Sequence, residues 1–78
     1  LGLSIHPKHS WIATRGEDNH IQILDYSDKN LKIIKKWKAK QWVDTCLWVD
    51  DHLVFSSGKN LYIFKSSSQN PDLIETWN

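Results

Sequence analysis

One pattern occurs twice in this chain, about 41 residues apart, and that spacing restricts the fold more than any other feature. The first copy runs from Leu3 through Trp11-Ile12-Ala13-Thr14 and Asp18 to Ile21-Gln22-Ile23-Leu24-Asp25. The second runs from Cys46 through Leu53-Val54-Phe55-Ser56 to Leu61-Tyr62-Ile63-Phe64-Lys65. Equivalent positions drift little: Ile5 matches Trp48, Thr14 matches Ser56 and Ile21 matches Leu61. A repeat of this length built from short strands points to four-stranded sheets stacked radially. Two such sheets cannot close a ring, so the chain reads as part of something larger, with binding rather than chemistry as its task.

The strands themselves follow from alternation and punctuation. Alternating apolar residues predict strands over 2–6, 11–15, 21–25 and 31–37, then 43–49, 53–57, 61–65 and 73–77. Pro7 and the turn through Ser10 separate the first two strands. Gly16-Glu17-Asp18-Asn19 reads as a tight hairpin, because these residues accept positive φ or bond their own backbone. Asp50-Asp51 and Gly58-Lys59-Asn60 mark the corresponding turns of the second unit, and 66–72 is a polar surface loop. No segment keeps a helical period with caps at both ends. The expectation is an all-β chain of two antiparallel meanders, one over 1–37 and a more degenerate one over 38–78. Strand spacing taken without the repeat also fits a small sandwich or barrel.

Composition narrows the function classes. A chain of 78 residues has one small core, and its net charge of +1 does not suit a strongly basic nucleic-acid binder. It carries no apolar run of about eighteen residues and no basic, then apolar, leader. Its single cysteine, Cys46, has no internal partner for a disulfide, which favours a reducing compartment. Five tryptophans are many for this length and suit packing between sheets or a partner surface.

At these residues the chain resembles a WD-repeat β-propeller. The stretch Ala13-Thr14-Arg15-Gly16-Glu17-Asp18-Asn19-His20-Ile21-Gln22-Ile23-Leu24-Asp25 follows the family's strand–turn–strand signature without a gap, and His6-Pro7 falls where the family often has a proline. The resemblance places Asp18 at the structural aspartate that closes the turn and Thr14 at the hydroxyl position. The terminal Trp-Asp pair appears as Leu24-Asp25 and as Phe64-Lys65. No Gly-His precedes Val43, and the second turn is two residues short with no matching aspartate. The resemblance implies two adjacent blades of a longer ring. It further implies a non-enzymatic interaction scaffold in an intracellular, eukaryotic complex, in cytoplasm or nucleus. The expected partners are other protein subunits and the remaining blades, with no membrane and no cofactor.

Glu17 and Asp18, like Asp50 and Asp51, are neighbours on one turn, so neither pair presents two converging carboxylates for acid–base work. His6, His9, His20 and His52 have neither a cysteine pair nor a nearby carboxylate, and the turn between His6 and His9 breaks any common face, so no metal site is expected. Cys46 lies between strand residues with no activating base and reads as a structural thiol. The lysines Lys29, Lys32, Lys35, Lys36, Lys38 and Lys40, interleaved with Trp37 and Trp42, offer an alternative role against nucleic-acid phosphates. Lysine on an exposed outer strand also discourages edge-to-edge pairing, and this is the reading taken. By position in the resembled family, Glu17, Trp42 and Asp44 lie on the loop-bearing face where partners dock. Trp42 is left open between that role, as an aromatic hot spot, and packing between sheets.

Overall fold

In a computed structural model, residues 3–15 and 18–77 are described, and they carry eight strands and no helix. Strands β1 (Leu3–Ile5), β2 (Trp11–Arg15), β3 (His20–Asp25) and β4 (Lys32–Lys38) form one antiparallel sheet in chain order. Strands β5 (Val43–Val49), β6 (His52–Ser57), β7 (Asn60–Phe64) and β8 (Asp72–Thr76) form the second in the same way. The all-β expectation of two four-stranded antiparallel sheets therefore holds, with strand ends moved by at most one residue.

Short turns dictate the meander. Val49 pairs with His52 across the two-residue loop Asp50-Asp51, in which Asp50 takes a φ of 53°. Ser57 pairs with Asn60 across Gly58-Lys59, and Gly58 has a φ of 60° that only glycine adopts without cost. A Cβ at Gly58 would sit 1.8 Å from Gln41 Oε1, so the connection between the sheets closes over this glycine. Asp18 and Asn19 also hold positive φ, 58° and 64°, at the end of the first hairpin turn.

The core lies between the sheets. Ala13, Ile21 and Ile23 from the first sheet meet Val43, Trp48, Leu53, Phe55 and Phe64 from the second, all buried. Trp37 wedges against Phe55 at 5.7 Å and Tyr62 at 5.1 Å between ring centres, while Phe55 and Tyr62 stack at 5.2 Å. Truncating either buried phenylalanine to alanine would cost on the order of 3–5 kcal/mol. Polar clasps join the sheets beside this core. Arg15 Nη1 donates to the carbonyls of Val43 and Asp44 at 3.0 and 2.8 Å, and Trp48 Nε1 donates to the Ser4 carbonyl at 3.0 Å.

Register corrects one sequence equivalence. Ile5, Ile12 and Leu24 are cross-strand neighbours in the first sheet, and Trp48, Leu53 and Phe64 occupy the same row in the second. Thr14 pairs with Gln22 as Phe55 pairs with Tyr62, so Thr14 corresponds to Phe55, not to Ser56. A turn two residues shorter hides this one-residue slip from a linear alignment, yet it moves a side chain to the opposite face of the sheet.

Candidate functional site

The connections of a meander fall at two ends, and the molecule differs between them. One end carries the turn after β2, the link 39–42 between the sheets, and the Gly58-Lys59 loop. The other carries the turn 6–10, the loop 26–31, the Asp50-Asp51 loop and the segment 65–71.

At the first end, Trp42 stands 76% exposed, with no packing against the buried core. Its neighbour Val43 turns inward to the core, while Asp44 is exposed again, its backbone carbonyl held by Arg15. Ala39 is buried and its N–H donates to the Asn19 carbonyl, anchoring the link to the first hairpin. Ser57 Oγ donates to the Gln41 carbonyl at 2.8 Å and fixes the link from the other side. Trp42 thus projects from a tethered segment, a low-entropy way to present a large apolar ring. Asp18 is exposed and Thr14, paired with Gln22, is half-buried on the outward face of its sheet. Glu17 lies outside the described residues.

The second end holds a cluster that the sequence did not announce. His6 is buried and its Nδ1 accepts the N–H groups of Lys8 and His9, both at 2.9 Å, which stitches the turn after β1. Its ring packs edge-on to Trp11 at 5.2 Å and Trp48 at 4.7 Å, and His9 stacks on Trp11 at 4.3 Å. Asp51 reaches over from the second sheet, with Oδ1 3.2 Å from His6 Nε2 and 3.6 Å from His9 Nε2. The expectation that these histidines share no face and no carboxylate is therefore corrected, because the sheet-to-sheet contact supplies both. Asp51 is distant in sequence and could be found only once the stacking was known.

Their grouping, with ligand atoms within 4.8 Å of one another, has the residue types of a metal site. The hydrogen bonds argue otherwise. An Nδ1 that accepts two N–H bonds carries no proton, so neutral His6 keeps its hydrogen on Nε2 and has no lone pair there for a cation. That Nε2 lies close to Asp51 but off the line of a hydrogen bond, and it has no aligned partner. The cluster is a structural latch with an underused donor.

Beside the latch, a cleft of about 140 Å³ opens between the sheets, walled by Trp11, Ile23, Trp48 and Phe64 and rimmed by Ile34, Lys35, Asp51 and Ser66. Lys35 Nζ lies 5.0 Å from the centre of the Phe64 ring and donates to the carbonyls of Lys65, Ser66 and Ser68 at 2.7, 2.7 and 2.8 Å. Burial lowers its pKa from the ordinary lysine value. The basic run is also divided by the strand. Lys36 pairs with Gln22 and Lys38 with His20 on the outward face, whereas Lys35 pairs with Ile23 on the inward one. A break in register between Ile23 and Leu24 adds a bulge at Ile34.

Cys46 is half-buried in the inter-sheet layer, and burial pushes its thiol above the usual range, partly offset by the charge of Arg15. No helix among the described residues is long and apolar enough to cross a membrane. Set against known protein families and curated proteins, the chain matches none.

Proposed function

We propose that this chain is a pair of adjacent blades of a WD-repeat-like β-propeller, serving as a non-enzymatic scaffold for protein partners within a larger intracellular assembly. One observation carries the reading: each open sheet face repeats the face that its counterpart buries. The row Ile5–Ile12–Leu24 lies open on the first sheet, with Ile5 60% exposed, while its equivalent Trp48–Leu53–Phe64 is buried against that sheet. Conversely, Leu61 and Ile63 are half-open on the second sheet, while their equivalents Ile21 and Ile23 are buried. Faces of this kind suit further sheets of the same build on either side.

In such a stack the ends remain accessible, and Trp42 with Asp44 forms the docking feature at one of them. Glu17 joins them by its position in the resembled family. Nucleic acid is the weaker alternative, because Lys35 spends its three hydrogens on backbone carbonyls and Lys36 and Lys38 project from the other face. The test is a pulldown of cellular partners by the chain within its parent protein, compared with the Trp42→Ala/Asp44→Ala double variant. Partner recovery should fall about tenfold or more with the circular dichroism spectrum unchanged, in line with the loss of one aromatic hot spot. Equal recovery would remove Trp42 and Asp44 from the docking role.

A further inference from the structure

The cleft at the opposite end bears on a different contact, and its chemistry is asymmetric. Its walls are aromatic and aliphatic, so it favours an apolar body. Its volume of about 140 Å³ is close to that of apolar cavities, about 150 Å³, known to accept a benzene ring. The rim decides what head group that body should carry. An ammonium has three hydrogens, and those of Lys35 are committed to three carbonyls, leaving no donor for an anion. Asp51, by contrast, is 54% exposed at its side chain, and among the described residues no donor reaches its second oxygen. The rim therefore accepts hydrogen bonds and offers few. A cationic guest is disfavoured, because Lys35 already places one positive charge over the Phe64 ring.

We propose that this cleft is an anchor pocket for an aromatic side chain that carries a hydrogen-bond donor, a tryptophan or tyrosine presented by a partner protein, with Asp51 accepting its N–H or O–H. The guest ring enters between Trp11, Trp48 and Phe64, where edge-to-face and offset contacts are available. Lys35 acts as a positioning residue, fixing segment 65–68 as one lip of the opening.

Indole and 1-methylindole serve as probes, read by the five indole N–H signals of the nitrogen-15-labelled chain. Trp11 and Trp48 line the cleft, whereas Trp42 and Trp77 lie away from it and act as internal controls. Indole should shift the first two signals saturably and leave the controls still. It should bind about tenfold more tightly than 1-methylindole, the usual scale for a hydrogen bond to a charged group. Asp51→Ala should abolish that preference, and Ile34→Trp, which supplies an indole from the rim itself, should abolish the saturable shift. Loss of response in Asp51→Ala through misfolding would appear as movement of every tryptophan signal in the variant's own spectrum. Asp51→Asn keeps an acceptor but deletes the charge, so it should retain a smaller preference of about threefold. Shifts spread over all five indoles, no shift, or equal affinity for both probes would overturn the proposal.

Discussion

His6 shows how one side chain can hold a turn and a core together. Its ring fills space between Trp11 and Trp48 while its Nδ1 satisfies two backbone N–H groups. The two roles separate on substitution. His6→Phe keeps the packing but strands both donors and should lower stability by about 2 kcal/mol. His6→Asn places an amide oxygen where Nδ1 sits and should be more stable than His6→Ala by about 1 kcal/mol. Chemical denaturation of the three variants checks this, and an Asn variant no better than Ala would reduce His6 to a packing residue. Cys46 makes a second residue-scale case. A thiol held above its usual pKa by burial contains little thiolate near neutrality, and the thiolate is the form that reacts. Alkylation of the folded chain should therefore be at least about tenfold slower than that of free cysteine at pH 7, accelerating as pH rises. A rate equal to that of the free thiol would contradict the burial.

Strand β4 and segment 65–71 are best understood as one element spanning two sheets. Lys35 sits on the inward side of β4 and is the only tie from that edge strand to the carbonyls of the opposite loop among the described residues. Lys35→Met retains the stem beside Phe64 and deletes the ammonium. Amide exchange at Ser68, whose N–H donates to Lys65, should quicken about tenfold while amides of β6 stay protected. Uniform quickening would mean that Lys35 supports the whole fold rather than one loop. This element also marks how far the sequence could be read. Alternation and turn residues located all eight strands, because Pro7, Asp50-Asp51 and Gly58 interrupt the chain where it must reverse. The lysine run reads as a solvated edge, since nothing local reveals that Lys35 shares the inward side of Trp37 and meets the carbonyls of the opposite loop. The His6–His9–Asp51 latch was unreadable for a related reason: it exists only across the contact between sheets, and register there is not encoded in any short window.

For the molecule as a whole, the two open faces are the surfaces on which association should be tested. Ile12 lies in the middle of the open row on the first sheet and Leu61 on the open face of the second, neither in the buried core. Ile12→Glu should leave secondary structure intact and reduce any association of the chain, as measured by sedimentation at rising concentration. A variant that associates as strongly as the parent would place the contact elsewhere. The two faces are moreover unlike one another, since one repeats the pattern that the second sheet buries and the other the pattern that the first buries. Each face is thus suited to its opposite rather than to itself, and every addition leaves one of each kind unfilled. Under the proposed stacking, the pair would have a growth direction, like a brick with a tongue at one end and a groove at the other. Addition would stop only when the curve returned to its start or when a dissimilar surface terminated the row.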